Sequence, residues 1–560
     1  MSNHIINKIE QLIRSRGYHP DDFYSWDLKK LPDFNQLNDM DKSVQRILKA
    51  IENKERIVIY GDYDVDGTTS CALLYHFFKT LNHPVLTLQP SRFVDGYGLH
   101  QSSIDWAVDN HAQLMITVDC GVTSFESAEY AKNKLDLIIT DHHQAHEKGL
   151  PPAYAIINPN RLDEPESSCM RKLAGVGVAF ALAICVRQKL IDLGGNVPSL
   201  YPLLPFVALG TICDLAWLNP MNLKLVRHGL KQFPQTPFAG LNVFLTADEK
   251  KLNILPSEKL SFHIGPIINS KGRLDHPELA LKLLTCENDD ESKHIYQKLQ
   301  LTNQERKNLQ ATVFKEAKEQ ILKNMKSPSP LLHVVYSAKW HEGVIGIVAS
   351  KLVENFKVPA IVLTDSEEKG IIKASARTAG ELNLYQLLAS CEELFIKFGG
   401  HKAAAGFSMK KEKLNLLQEK LEAELEKIPE ILRKQHHSFD LEVNFEELNA
   451  ELLIELQKLE PFGVGNPKPI LRISNAKVQN YQVLKGNHVK WTLTQGRPGQ
   501  ATNRNLGGIS FNYFDRWNTL SPEEILRKQE EQQVQIDCHL GKNFFNGRSF
   551  LQAYISSITF

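Results

Sequence analysis

Between residues 55 and 215 the chain repeatedly runs a short apolar stretch straight into acidic residues, and no other feature restricts the fold as tightly. Residues 56–60 (RIVIY) lead into Gly61-Asp62-Tyr63-Asp64-Val65-Asp66-Gly67, residues 114–118 (LMITV) into Asp119, and residues 137–140 (LIIT) into Asp141-His142-His143. Apolar runs this short, separated by helix-length stretches, are the βαβ signature of a parallel, doubly wound sheet. Ligands of such open sheets bind beyond the carboxyl ends of the strands, so the acidic tips are expected to converge on one crevice. Asp214, inside the apolar run 206–218, reads as a fourth acidic strand tip.

Side chains two apart on a strand point the same way, which would place Asp62, Asp64 and Asp66 on one side. Carboxylates clustered in a crevice cannot all stay ionised without a compensating cation. Hard oxygen ligands favour Mg²⁺ or Mn²⁺, and an added imidazole tilts the choice toward Mn²⁺. Zinc held by thiolates is not supported, because the eight cysteines (71, 120, 169, 185, 213, 286, 391 and 538) form no CxxC pair. They read as buried, reduced thiols of a cytoplasmic protein. The first residues show no apolar leader pattern, and the longest apolar run, 178–186, is too short to span a bilayer.

At 560 residues the chain exceeds what one core organises, about 250–300 residues. Residues 280–325 turn polar, with Ile295, Leu299, Leu309, Val313 and Ile321 spaced for one face of a long connecting helix that stops at Ser327-Pro328-Ser329-Pro330. A second α/β segment follows, with strands expected at 331–337 and 360–364 and a charged helix at 412–436. Short half-polar strands near 471–474, 488–494, 534–540 and 549–560 then suit a small barrel. The expected domains are an N-terminal segment 1–45, a doubly wound domain 46–218, a helical region with the connecting helix 219–326, a second α/β domain 327–437 and an OB-like barrel 438–560.

Lys plus Arg and Asp plus Glu number 65 each, so no global field attracts a polyanion and local groups must hold it. Gly399-Gly400-His401-Lys402 pairs glycines with donors suited to an anion. A glycine turn before an Ala-rich helix is the plainer alternative. Ser375 and Arg377 offer a hydroxyl and a fork that suit phosphate. Near and in the barrel, Phe462, Trp491, Phe511, Tyr513, Phe544 and Phe545 alternate with Lys468, Lys485, Lys490, Lys542 and Arg548, a mixture that either stacks nucleobases or fills a core. Lys542 and Arg548 are the better candidates for strand contact. Gly175-Val176-Gly177 lacks a full GxGxxG and reads as helix packing.

The segments GDYDVDGTTS (61–70), TVDCG (117–121), TDHH (140–143) and GTICDLAWL (210–218) resemble the four successive motifs of the DHH phosphoesterase superfamily. The resemblance implies hydrolysis of a phosphodiester with two divalent ions, Mn²⁺ or Mg²⁺, held by Asp64, Asp66, Asp119, His142 and Asp214, with Asp62 contributing. His143 would act on the substrate phosphate or as an acid, beside Asp64, Asp119 and His142 in the chemistry. Tyr60 stands where the pyrophosphatase branch carries a ligating histidine, which disfavours that branch.

Segments 90–99, 268–281, 340–352, 374–378, 398–408 and 461–471 extend the resemblance to the RecJ exonuclease family within the DHH/DHHA1 superfamily. It implies a 5′-to-3′ exonuclease of single-stranded DNA in recombination and repair. Ser375 with Arg377, Arg92 and Arg273 would read a terminal 5′ phosphate, and His401 would hold phosphate beside the metals. A monomer is expected, with single-strand-binding protein and DNA helicases as partners. A DHH phosphodiesterase of dinucleotides and a metal-free scaffold are the competing readings. The residues beyond 437 disfavour the first, and the complete ligand set disfavours the second.

Overall fold

The computed structural model describes residues 2–92, 94–324, 330–433, 439–497, 500–501, 505–515, 520–545 and 548–560. It divides into two compact units, one of residues 9–304 with 457–468, the other of residues 1–8, 305–456 and 469–560.

In the first unit, β1 (Ile57–Gly61), β2 (Val85–Leu88), β3 (Leu114–Val118), β4 (Asp136–Thr140) and β5 (Ala155–Ile157) form one sheet in the order β2-β1-β3-β4-β5. Every pairing is parallel. The central strands β1 and β3 are buried along their whole length, which is why they read as unbroken Val/Ile runs rather than alternating ones. Val58, Tyr60, Met115, Leu137 and Ile139 pack on one face, and each fully buried aliphatic side chain contributes about 1.5–3 kcal/mol. The chain leaves β1 toward β2 on one side and reaches β3 on the other, so the strand order reverses between β1 and β3. That switch point is where an open α/β sheet leaves a crevice.

Three helices complete the crevice. Helix α1 (Val65–Thr80) follows β1 after a turn, while α2 (Gly175–Asp192) and α3 (Leu204–Cys213) pack against it. The strand-alternation reasoning for the aspartates does not hold. β1 ends at Gly61, Asp64 is the N-cap of α1 and Asp66 lies in its first turn. Asp214 is likewise no strand tip: it caps the C-terminus of α3.

Helix α4 (Asp289–Asn324) carries the chain from the first unit into the second, with Ile295, Leu299, Val313 and Ile321 buried and Leu309 partly so. The expected stop at Ser327, Pro328 and Ser329 lies outside the described residues. A mixed sheet of β6 (His333–Tyr336), β7 (Ala360–Asp365), β8 (Ile371–Arg377), β9 (Phe395–Gly400) and β10 (Ala404–Lys410) follows, in the order β6-β7-β8-β10-β9. Helix α5 (Glu342–Phe356) connects β6 to β7, and the single charged helix expected over 412–436 is instead α6 (Leu414–Glu426), followed after Pro429 by a short helix, Glu430–Arg433; residues 434–436 lie outside the described ones.

Beyond β11 (Leu441–Glu442), the strands β12 (Leu471–Leu484), β13 (His488–Arg497), β15 (Leu506–Ser510), β16 (Val534–Phe545) and β17 (Arg548–Thr559) close into a five-stranded barrel, with β14 (Gln500–Ala501) on its margin. Six of the eight free cysteines are buried as expected, whereas Cys169 is exposed and Cys213 is intermediate. Among the described residues no helix is long and apolar enough to cross a membrane.

Candidate metal centre

The crevice at the β1/β3 switch point collects its carboxylates by helix termini and tight turns. The Asp64 carboxylate caps α1 by accepting the Gly67 N–H at 3.0 Å. A Cβ on Gly67 would meet the Asp62 carbonyl oxygen at 2.4 Å, so only glycine lets the turn fold this tightly. Asp66 is fully buried, and its carboxylate accepts the Gly175 N–H at 2.6 Å and the Val176 N–H at 2.8 Å. These are free donors at the start of α2, whose N-cap Ala174 supplies no side-chain acceptor. The Gly175-Val176-Gly177 segment therefore packs a helix, as expected, and also fixes a carboxylate.

Asp119 follows β3 in the left-handed region at φ 60°, a strained conformation for a non-glycine residue that aims its side chain into the crevice. From β4 comes Asp141, whose buried carboxylate accepts the backbone N–H groups of His142 (2.7 Å), His143 (3.1 Å) and Val122 (2.9 Å). This clamp sets the path of the His-His pair. Asn158 and Asn160 donate to the His143 and His142 carbonyls at 2.9 and 2.5 Å.

His142 Nε2 then lies 3.2 Å from Asp119, 3.8 Å from Asp214 and 3.9 Å from Asp66. Three sets of donor atoms fall within 4.8 Å of one another: Asp119, His142 and His143; Asp66, His142 and Asp214; Asp62, Asp64 and Asp119.

Burial, followed by the charges of neighbouring carboxylates, holds Asp62 and Asp119 well above the ordinary carboxylate range. The same causes raise Asp66 to about 7 and Asp214 to about 9. Burial pushes His142 down to about 4, so its imidazole is neutral and can donate a lone pair.

Asp62 Oδ1, Asp119 Oδ1 and His142 Nε2 are buried without any hydrogen-bond partner. Orphaned acceptors of this kind, held together against their own repulsion, fit a hard divalent cation. Cys71, Cys120 and Cys213 stand near, but burial raises all three thiols and none of them joins the three donor sets.

Tyr60 donates its buried hydroxyl to the Gly98 carbonyl at 2.8 Å. The Arg92 guanidinium lies 4.4 Å from the centroid of the Tyr63 ring, and the charges of both Arg92 and Arg273 act on Tyr63. The structure thus brings these two arginines to one residue of the acidic turn.

Ser375, Arg377, Gly399, Gly400 and His401 belong to the second unit. Ser375 and Arg377 lie on β8, where Arg377 Nη1 donates to Ser375 Oγ at 3.0 Å and to the Ala376 carbonyl at 2.8 Å. Gly399 and Gly400 close β9, and the alanines after them form β10 rather than a helix. Gly400 permits a close hairpin, since a Cβ there would meet the Ala404 carbonyl oxygen at 2.5 Å, and His401 is exposed at its end with its N–H bound to that same carbonyl at 2.8 Å.

In the barrel Trp491 and Tyr513 are core, whereas Phe511, Lys485, Lys490 and Lys542 are exposed. The side chains of Phe544, Phe545 and Arg548 lie outside the described residues. Phe462 and Lys468 belong to the first unit. Asp141, an expected acidic tip, and Tyr97 carry no site role in the sequence reading. Asp141 was legible as the first residue of its own motif, while Tyr97, whose hydroxyl lies 2.9 Å from His143 Nδ1, carried no independent signal.

Residues 56–211 match the DHH family, N-terminal domain, residues 330–427 the DHHA1 domain and residues 439–557 the RecJ OB domain. The single-stranded-DNA-specific exonuclease RecJ of Escherichia coli (strain K12) is 31% identical over 98% of this chain and 95% of its own length. That of Bacillus subtilis (strain 168) is 34% identical over 82% of this chain, and the match spans 57% of that longer relative. The crystal structure of RecJ in complex with Mn²⁺ from Thermus thermophilus has a TM-score of 0.79 at 25% identity, covering 99% of this chain and 76% of that one.

Proposed function

Because the chain belongs to the RecJ family of single-stranded-DNA-specific exonucleases, we propose that it removes nucleotides from the 5′ end of single-stranded DNA by metal-dependent hydrolysis, in DNA recombination and repair. The observation that carries this reading is the set of orphaned atoms of Asp62, Asp119 and His142 at the β1/β3 switch point. Asp62, Asp64, Asp66, Asp119, His142 and Asp214 would hold Mn²⁺ or Mg²⁺, which supplies Lewis acidity toward water and phosphate.

The protein's own groups do the rest. The α2 amides and the Asp141 clamp keep ligands in place, so little reorganisation accompanies binding. In the metal-free site His143 is protonated near neutrality: burial alone would lower it, but the Asp141 hydrogen bond and charge and the surrounding carboxylates raise it to about 9. With Nδ1 donating to Asp141, its other ring N–H is free to bind a phosphate oxygen or protonate the departing 3′ oxygen.

Arg92, Arg273, Ser375 and Arg377 would read the terminal phosphate. His401 with Gly399 and Gly400 would hold phosphate, and Lys542 and Arg548 would contact the strand farther on. The free cysteines support a reducing, cytoplasmic setting, in which single-strand-binding protein and helicases would present the substrate.

A time course on 5′- and 3′-labelled single strands and duplexes, with and without Mn²⁺, tests the reading. The expected result is metal-dependent loss of the 5′ label from single strands alone. Preferential turnover of dinucleotides, or digestion undiminished by chelation, would overturn it.

A further inference from the structure

Three residues beyond Asp214 the chain exposes a tryptophan that the metal centre does not use. Trp217 is 45% exposed, although its indole is fixed on several sides. Its N–H donates to the Tyr18 hydroxyl at 2.6 Å. Gly465, at φ 79°, comes so close that a Cβ would meet the indole at 2.5 Å. The following residue, Leu218, donates its N–H to the Val464 carbonyl at 2.8 Å.

A buried amide joins this loop to an exposed lysine: Asn222 Nδ2 donates to the Trp217 carbonyl at 2.9 Å and to the Lys172 carbonyl at 2.6 Å. Lys172 Nζ stands 5.7 Å from the indole centroid, near the outer limit of about 6 Å for a cation–π contact. The next residue, Leu173, hydrogen-bonds the His142 ring through its backbone. Both members of the Trp217–Lys172 pair are thus tied to metal-ligand candidates, Trp217 to Asp214 through at most about 11 Å of chain.

A second aromatic–lysine pair adjoins the first. Lys468 Nζ lies 6.0 Å from the Phe462 ring centroid. The turn between them presses Gly463 on Leu218 and Gly465 on Trp217, and is held by Asn466, which donates to the Leu459 and Pro461 carbonyls and accepts from Arg16. The surface is pre-organised by buried polar bonds.

From this arrangement, and resting on the exonuclease reading above, we infer that Trp217 and Phe462, with Lys172 and Lys468, form the track for the substrate strand next to the metal centre. A nucleobase stacks on Trp217, and the lysines meet the flanking phosphates. Aromatic faces interleaved with cations are how proteins hold single strands regardless of sequence. A net-neutral chain needs such placed groups.

The test compares wild type, Trp217→Ala and Trp217→Phe, with Mn²⁺, on single strands carrying one abasic nucleotide at successive positions from the 5′ end. One position is expected to raise the wild-type KM about tenfold, the worth of one stacked base. Trp217→Ala raises KM on the intact strand by a similar factor and erases the abasic penalty, while Trp217→Phe retains both wild-type values. Separately, the exposed pair Lys172→Gln with Lys468→Gln flattens the slope of log binding constant against log salt by about 1.4. An abasic penalty that persists in Trp217→Ala, or a salt slope indifferent to the lysine changes, overturns the inference. Wild-type protein that leaves single strands intact overturns the exonuclease reading instead, so the two failures are distinct.

Discussion

His143 Nδ1 stands 2.8 Å from Asp141 Oδ1, and the pair polarises both partners against the effect of their burial. Burial would raise Asp141, yet the His143 hydrogen bond and charge, with backbone donors, hold it at about 2. Asp141 in turn helps lift His143 to about 9. If protonated His143 serves the reaction, the alkaline limb of kcat/KM follows its titration, and activity falls as pH rises through that value. Asp141→Asn keeps the shape and removes the charge. Its alkaline limb is expected to move toward the ordinary imidazole value near 6.5, with activity at pH 8 down about 10–100-fold. A pH–rate profile with saturating Mn²⁺ checks this, and an unmoved limb would place the group elsewhere.

The carboxylate cluster makes the metal-free fold sensitive to pH in a definite direction. Asp66 and Asp214 titrate near 7 and 9 when folded, above the usual value of about 3.9. Between those limits the folded chain binds more protons than the unfolded one, so stability declines as pH rises. Melting temperature in chelator is expected to fall from pH 5 to pH 9. Mn²⁺ replaces those protons and should raise the melting temperature more at pH 8 than at pH 6. Asp119→Asn removes one carboxylate of raised pKa and one candidate ligand, so its melting temperature in chelator should fall less between pH 5 and pH 9 than that of wild type, with a smaller gain from Mn²⁺ and loss of hydrolysis. Thermal scans with and without metal measure the stability effects, and a hydrolysis assay the last.

Gly175 faces Asp119 so closely that a Cβ would lie 2.6 Å from the aspartate Cβ and 2.8 Å from Oδ1. Gly175→Ala is expected to displace Asp119 and weaken Mn²⁺ binding about 10–100-fold, with a stability cost of about 1–3 kcal/mol from overpacking. Calorimetric titration of Mn²⁺ reads the first effect and denaturant unfolding the second. Full metal affinity in the variant would show that Asp119 does not ligate.

The residues differ in how much of this the sequence revealed. β1 and β3 were legible because a strand buried on both faces must be apolar without interruption. The identity of the acidic cluster was legible too, but its cause was misjudged. The period of 2 ends with β1 at Gly61, and Asp64, a residue type that starts helices, caps α1 with its side chain. Asp214 reads as a strand tip because the apolar run 206–218 has no periodicity to tell a buried helix from a strand; Pro205 in the first turn of α3 is the available sign of a helix. The bond from the α2 amides to Asp66 spans 109 residues, and only the uncapped Ala174 hinted that those donors sought a distant acceptor. Trp217 lies inside the motif at 210–218 and has no separate signal of its own. Its role depends on Tyr18, Lys172 and Gly465, which no local pattern connects.

If Ser375 and Arg377 on β8 read a terminal phosphate, as proposed, recognition of that end can be told apart from mere attraction to DNA. Arg377 Nη1 is already engaged by Ser375 Oγ and the Ala376 carbonyl, and a Cβ on Gly346 of α5 would lie 3.0 Å from Ser375 Oγ and 3.2 Å from Arg377 Nη2. The fork is therefore oriented before any ligand arrives, while burial lowers the arginine. Lysine at this position keeps the charge but not the fork. Arg377→Lys should lose most of the preference for 5′-phosphorylated over 5′-hydroxyl strands, about tenfold or more, as expected for hydrogen bonds to a charged group. Ser375→Ala should lose less, because it removes the orienting hydroxyl and leaves the donors. The ratio of kcat/KM on the two kinds of end, measured for each variant, decides the matter. An unchanged ratio in Arg377→Lys would leave the terminal phosphate to Arg92 and Arg273, whose charges already meet at Tyr63.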